Sequence, residues 1–353
     1  MNTNFLQVIS ATLNERRDLF VATSTRLGTP IENVEKDFWV CFILDLLFNG
    51  RQATEPRLLF KGGTSLSKAY GLISRFSEDL DVTVFREDIG QTVNSEELEK
   101  LSGKQLRIRL NAIKEACRDY IQNALKERLY QQINEIYAKA NIKLEQCIIV
   151  DPDDPQQQTL LVYYPSVLDH ANNYIKPTIK IEGGAKSALD PHCKMSITPY
   201  IANELNQTNL VIADVVTIDA QRTFWDKIII LHGLRCWHDK RGMLRQQGHR
   251  ISRHYYDLYQ LCKSEVGQVA KTDYDLALDC ARHARLFFNS TDLGLQTAQP
   301  GSFKLAPTEE MYTALKRDYE AMAGMIFGEV PEFSVVIGVI RQLEIDINSR
   351  SSN

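Results

Sequence analysis

Apolar residues recur at three- and four-residue spacing through the first fifty positions, at Phe5, Val8, Ile9 and Leu13 and again at Val34, Phe38, Phe42 and Leu46. That spacing lines one face of a helix, so residues 1–50 are predicted to be helical, with breaks at Thr29-Pro30 and Asn49-Gly50. The texture then changes. Leu58-Leu59-Phe60 is a short apolar run, Gly62-Gly63 a turn, Ser65 to Ile73 helical in period, and Leu80 to Phe85 alternates as a strand does. Residues 95–140 are charged and helix-favouring, with Leu101, Leu106, Ile108, Leu110, Ile113 and Ile121 as the apolar stripe. Strand-like runs follow at 147–150, 159–164 and 178–181, the first two separated by the hairpin-like loop Asp151-Pro152-Asp153-Asp154-Pro155. Beyond Asp219 the chain reads as helical, apart from an irregular stretch at 287–307, and closes with helices at 308–326 and 332–347. No internal repeat is visible. The pattern predicts an α+β protein: an N-terminal helical segment at 1–50, a core of mixed sheet and helices at 51–210, and a helical domain at 211–353.

Composition narrows the class. With 353 residues, 44% apolar and 24% charged, the chain is long enough for a large core and is neither disordered, collagen-like nor a disulfide scaffold. Lys and Arg total 41 against 45 Asp and Glu, a net charge of −4 that excludes a generally basic nucleic-acid coat but not a local basic groove. Seven cysteines stand singly without a C-x-x-C pair, which indicates neither a disulfide framework nor a zinc cluster. The N-terminus lacks the apolar stretch of a signal peptide, and Asp45 interrupts the longest apolar run, far short of the roughly 18 residues of a membrane span. These features read as a reduced, cytoplasmic protein with no membrane partner.

The candidate chemistry lies in Lys61 to Asp81, KGGTSLSKAYGLISRFSEDLD. Asp79 and Asp81 are two apart in a strand pattern, so their carboxylates are expected on one face. Hard divalent cations take oxygen ligands, and such a pair suits Mg²⁺ with triphosphate oxygens completing the shell. Gly62 and Gly63 offer bare N–H groups that a phosphate can approach. A P-loop is excluded, because Ser67 precedes Lys68 and no Ser or Thr follows it. An isolated D-x-D is often solvated surface; the joint strand, Gly-Gly, helix and Ser77-x-Asp79-x-Asp81 pattern points to a metal site.

This stretch resembles the first motif of the nucleotidyltransferase AbiEii/AbiGii toxin family, a branch of the polymerase-beta-like nucleotidyltransferase superfamily. Asp219 to Leu234, DAQRTFWDKIIILHGL, is similar to the family's R-T-F-W-E-K helix, with Asp226 in place of Glu. Ser252 to Leu258, SRHYYDL, resembles its approach to a Y-D-L helix, with His254 where Asp is frequent. Weaker similarity runs from Val34–Trp39 to Asp318-Tyr319, so the resemblance covers most of the chain. Gly63 stands where Ser is common, which leaves a hydroxyl contact to phosphate to Thr64 or Ser65.

Lys227 shares a helical stripe with Ile230, Leu231 and Leu234, and the pattern alone favours a lysine snorkelling to the surface. The resemblance instead implies an ammonium directed at the nucleotide phosphates, stabilising the leaving pyrophosphate. Asp257 reads alone as a helix cap or ion-pair partner; the resemblance implies a catalytic-pocket residue that positions Lys227 or the nucleotide. Residues 235–254 carry Arg235, Lys240, Arg241, Arg245, Arg250 and Arg253 against Asp239, with His238, His249 and His254 among them. Such a run is usually a solvated loop, yet its place between two motif helices makes it a candidate for contact with phosphate or the RNA backbone. Lys180 and Glu182 share a strand face, and two readings stand: an edge ion pair, or a third carboxylate that deprotonates the attacking hydroxyl. Lys68 and Arg75 are further candidate phosphate contacts. The tryptophans and isolated histidines are assigned to packing.

The resemblance implies an Mg²⁺-dependent nucleotidyltransferase toxin with a polymerase-beta-like core and a helical C-terminal domain completing the active-site cleft. It would transfer NMP from an NTP to an acceptor hydroxyl, with the 3′ end of tRNA as the expected acceptor, in a toxin–antitoxin or phage-defence pair with a cognate antitoxin protein. The implied catalytic set is Asp79, Asp81, Glu182, Lys227 and Asp257, with Asp79 and Asp81 on the metal. The implied phosphate-binding set is Gly62, Gly63, Thr64, Ser65, Lys68, Ser77, Lys180 and Arg253. A protein acceptor, or a non-catalytic nucleotide- or RNA-binding module, are the alternatives.

Overall fold

The computed structural model describes residues 2–144, 146–168, 177–205, 208–245, 250–288 and 290–349. The chain divides into two compact units. One comprises Met1–Ala69, Phe76–Val93 and Ser102–Thr217; the other comprises Tyr70–Arg75, Asn94–Leu101 and Ile218–Asn353.

The first unit opens with helices α1 (Asn4–Ser10), α2 (Leu13–Leu27) and α3 (Ile31–Phe48). A capping box starts α2: the Thr12 hydroxyl accepts the Glu15 N–H while the Glu15 carboxylate accepts the Thr12 N–H, an arrangement worth about 1 kcal/mol. α3 is buried on all sides, with Phe38, Trp39, Phe42 and Leu46 at 1% exposure or less, and it therefore forms the spine of this unit rather than a surface helix. Two of its buried charges, Lys36 and Asp37, form ion pairs, with Glu78 and Lys68, that bear on the site below.

Strand β1 (Leu58–Lys61) leads directly into α4 (Gly62–Lys68), followed by β2 (Leu80–Val84) and the short α5 (Ser95–Glu99), which belongs to the second unit. Helices α6 (Gly103–Tyr120) and α7 (Lys126–Lys139) are joined by a π-turn at Ile121–Leu125. Strands β3 (Ile148–Val150), β4 (Thr159–Tyr163), β5 (Thr178–Gly184), β6 (His192–Ile197) and β7 (Ile212–Ile218) complete a seven-stranded sheet in the order β3-β4-β5-β2-β1-β7-β6. β1 and β2 are antiparallel, β2 runs parallel to β5, and β1 runs parallel to β7. The sheet is therefore mixed, as expected. Its central strands β1 and β2 are buried on both faces except at Lys61 and Asp81, so polar side chains are rare there and conspicuous where they occur.

The helix expected at Ser65–Ile73 stops at Lys68, because Gly71 adopts a left-handed φ of 64° and the chain then becomes extended. Arg75 forms a β-bridge with Ile326, and the Phe327 N–H donates to the Ser74 carbonyl at 2.8 Å. These second-unit bonds outweigh the local helical period. β6 and β7 gave no signal: β6 is largely exposed and polar, and Asp214, at a φ of 57°, interrupts the alternation of β7.

The second unit is helical: α8 (Ala220–Arg241), α9 (Ser252–Lys263), α10 (Glu265–Ala270), α11 (Tyr274–Phe287), α12 (Glu309–Met322) and α13 (Phe333–Ser349). Asp219 caps α8 by accepting the Gln221 N–H at 2.8 Å. Trp225 and His232 fasten α8 to its surroundings. The Trp225 indole donates to the Ala270 carbonyl at 3.0 Å and stacks on Phe303, while His232 Nδ1 accepts the Lys304 N–H at 3.1 Å. Burial holds His232 below its ordinary value, so the ring is neutral and serves packing. Among the described residues no helix is long and apolar enough to cross a membrane.

Candidate active site

In the first unit, β1 ends at Lys61 and turns at Gly62, whose φ of 80° is left-handed. A Cβ at Gly62 would lie 2.1 Å from Asp81 Oδ2, so the backbone and the carboxylate meet only because this residue is glycine. Register places Lys61 opposite Asp81 on β2, and Asp81 opposite Glu182 on β5. In-register residues of adjacent strands share a face, which brings Lys61, Asp81 and Glu182 into one row across three strands. Lys61 Nζ lies 3.6 Å from Asp81 Oδ1, and Lys180 Nζ lies 2.9 Å from Glu182 Oε1 and 3.8 Å from Asp151 Oδ2. Partial burial works against the charge on Lys180, but Glu182, Asp79 and Asp151 outweigh it and hold the ammonium above its ordinary value. Carboxylates thus outnumber cations in this cluster.

Asp79 sits one residue before β2 rather than on it, in a segment held by side chains. The Thr64 hydroxyl bonds to Ser77 Oγ at 2.9 Å and to the Asp79 carbonyl, and the Ser65 hydroxyl donates to the Gly62 carbonyl at 2.9 Å. Thr64 and Ser65 are fully buried, so their hydroxyls brace the turn and the Asp79 backbone. Lys36 of α3 bonds Glu78, next to Asp79, at 2.8 Å. Lys68, a candidate phosphate contact from sequence, instead reaches Asp37 of α3 at 2.6 Å and lies 3.7 Å from the centre of the Tyr200 ring. Burial opposes its charge, yet the Asp37 carboxylate prevails and keeps the ammonium above its ordinary value. The structure therefore brings Gly62, Asp79, Asp81, Lys180 and Glu182 together and turns Lys68 into a structural ion pair. Sequence reasoning missed Lys61 and Asp151, the latter read only as part of a hairpin-like loop, and it missed the bracing by Lys36 and Asp37. The signal for the last two was the weak similarity at Val34–Trp39.

The donor set fits a hard divalent cation: carboxylate oxygens, partly exposed and in excess of the neighbouring ammoniums. Among the described residues no three His, Cys, Asp or Glu side chains converge closely enough to hold a metal ion by themselves. One consequence concerns the turn. Gly62→Ala is expected to displace Asp81 and to slow transfer by about 10²-fold, the usual result of misplacing a reacting group by an ångström. Initial rates of nucleotide incorporation on a variant with an unchanged circular dichroism spectrum check this.

In the second unit, Lys227 of α8 and Asp257 of α9 meet at 2.7 Å, with Asp257 fully buried and Lys227 6% exposed. The lysine points inward, not to solvent as its helical stripe alone suggested. Arg75 grips the same carboxylate. Burial would raise the Asp257 carboxyl, but Arg75 and Lys227 hold it well below the usual range; burial, with Arg75 and Arg253 nearby, lowers Lys227. The start of α9, which carries Arg253, is fixed by Asp318 of α12, whose carboxylate accepts the Ser252 N–H at 2.7 Å and the Ser252 hydroxyl at 2.6 Å. His254 is kept neutral by burial and by Lys227 and Arg253.

The basic run is less open than its charge suggests. Arg235 is paired with Asp239, Arg241 with Asp292, and Lys240 donates to the Thr291 carbonyl. Residues 246–249, which include His249, lie outside the described residues.

A glycine turn pressed against a strand carboxylate, beside a second acidic strand, is the frame of the candidate site, and the family that the chain matches makes the protein a nucleotidyltransferase. The family model for the nucleotidyl transferase AbiEii toxin of type IV toxin–antitoxin systems matches residues 45–339, and the chain belongs to that family. Such a toxin uses an NTP and has an antitoxin partner. The fold is similar to that of MenT4, a nucleotidyltransferase toxin from Mycobacterium tuberculosis H37Rv, with a TM-score of 0.50, 14% identity, and coverage of 95% of this chain and 90% of the other. No curated protein matches the sequence significantly.

Proposed function

We propose that the protein transfers NMP from an NTP to an acceptor hydroxyl at the 3′ end of tRNA, with Mg²⁺ held by Asp79 and Asp81, in a toxin–antitoxin pair that acts in the cytoplasm and serves phage defence. The observation that carries the reading is the row of Asp81 and Glu182 on adjacent strands beside the Gly62 backbone. A bound Mg²⁺ would supply charge neutralisation on the triphosphate. Glu182 takes the proton of the acceptor hydroxyl as its oxygen attacks the α-phosphorus, and Lys180, bonded to Glu182 at 2.9 Å, orients that carboxylate. The bond from the α-phosphorus to the pyrophosphate oxygen breaks, and Lys227 and Arg253 stabilise the leaving pyrophosphate. Gly62 and Gly63 leave backbone N–H groups open to phosphate.

The test is incubation of the purified chain with each α-labelled NTP, Mg²⁺ and total bacterial RNA or lysate. Label is expected in RNA of tRNA size, at the 3′ end. Label in protein would replace the acceptor, and nucleotide binding without incorporation would replace catalysis with a binding role.

A further inference from the structure

Arg75 stands four residues ahead of Asp79 in the chain but belongs with the second unit. Its guanidinium forks over Asp257, Nε to Oδ1 at 2.7 Å and Nη2 to Oδ2 at 2.9 Å, and Lys227 Nζ bonds the same Oδ2 at 2.7 Å. The three side chains are 5%, 0% and 7% exposed. One buried carboxylate therefore serves two buried cations. The backbone presenting Arg75 is fastened as well: the Tyr70 hydroxyl donates to the Ile218 carbonyl at 2.9 Å, the Tyr256 hydroxyl and the Phe327 N–H both donate to the Ser74 carbonyl, and Arg75 itself bridges Ile326. A planar fork held this way fixes both carboxylate oxygens, which a lysine at the same position could not do.

A buried Lys–Asp pair alone would be neutral and would have little to offer a triphosphate. With Arg75 committed to both Asp257 oxygens, the group carries one net positive charge, and the cation not doubly bonded to the carboxylate is Lys227. We infer that Arg75 is a positioning residue: it shares Asp257 bidentately, so the carboxylate does not neutralise Lys227 alone, and the cluster keeps one net positive charge that Lys227 presents to the nucleotide phosphates. This rests on the reading that Lys227 meets those phosphates.

The experiment measures kcat and KM for the NTP, by pyrophosphate release from the full chain. Arg75→Gln is expected to raise KM about tenfold or more, the effect of losing one charge-assisted contact, because Asp257 then neutralises Lys227. Arg75→Gln/Asp257→Asn restores a lone Lys227 charge, and KM should return most of the way to that of the parent. Arg75→Lys keeps the charge without the fork, and is expected to hold KM while kcat falls about tenfold. A folded Arg75→Gln with unchanged KM, a double variant no better than the single one, or an Arg75→Lys with unchanged kcat would each overturn the inference. Should Arg75→Gln not fold, Arg75→Lys alone decides the matter. Lys227→Ala separates the two levels: if it leaves KM unchanged, the phosphate role of Lys227 fails; if it raises KM while Arg75→Gln does not, only the role of Arg75 fails.

Discussion

Asp79→Ala and Asp81→Ala are each expected to abolish NMP transfer and growth inhibition while the protein stays folded. Asp81 is 28% exposed at its side chain, and its ion pair with Lys61, at 3.6 Å, is of the partly exposed kind that contributes at most about 1 kcal/mol. Its removal also relieves the close approach at Gly62. Asp79 lies outside β2, and its carbonyl, which Thr64 uses, survives truncation of the side chain. The stability of the Asp81 variant should therefore change little. Catalysis should not survive, because carboxylates that hold a divalent cation against a triphosphate supply several kcal/mol of transition-state stabilisation, which corresponds to roughly 10³-fold or more in rate. Initial rates of labelled-NMP incorporation, compared with thermal unfolding of the same preparations, test both halves. Full activity in either variant would remove these residues from the site. Growth inhibition that persists in the double variant would separate toxicity from transfer.

The core of this site was legible in the sequence because it is local. Gly62 and Asp81 lie within a strand–turn–helix–strand unit whose hydrophobic periods change abruptly, whereas Asp79, expected on the strand with Asp81, stands one residue before it. The partnership of Asp81 with Glu182 was legible only in outline, since it depends on β2 pairing parallel with β5 across almost a hundred intervening residues. Lys68 shows why local pattern misleads. One turn after a glycine pair, it reads as a phosphate ligand, yet its partner Asp37 lies on a helix that nothing local connects to it. In the basic run at 235–254, Arg241 likewise has a partner that no local pattern shows, because Asp292 comes from a segment far along the chain. Conversely, Lys227 looked like a surface lysine on an apolar stripe. Its inward direction follows from Asp257 and Arg75, which no helical period could have supplied. β6 escaped notice because an exposed polar edge strand has no apolar alternation to read.

That same cluster sets the largest expected effect on stability. Asp257→Asn should unfold the second unit far more readily than Lys227→Ala does, although both should lose most activity. Removing the carboxylate leaves Arg75 and Lys227 as two buried cations with no anion between them, a change that costs about 3–5 kcal/mol in comparable buried pairs. In a protein of ordinary stability this lowers the unfolding temperature by roughly 10 °C. Lys227→Ala, by contrast, leaves Asp257 with its bidentate arginine, so the remaining pair is balanced. The acid side gives a check with a definite sign. Asp257 is held below its ordinary value of 3.8 when folded, so the stability it confers is fully present above that value and is lost as the pH falls through the lower, folded one. The difference in unfolding temperature between the parent and Asp257→Asn should therefore be constant from neutral pH down to about pH 5 and should shrink only in stronger acid. A difference that vanished near neutral pH, or an Asp257→Asn variant as stable as Lys227→Ala, would show that the buried carboxylate is not what holds Arg75 and Lys227 in place.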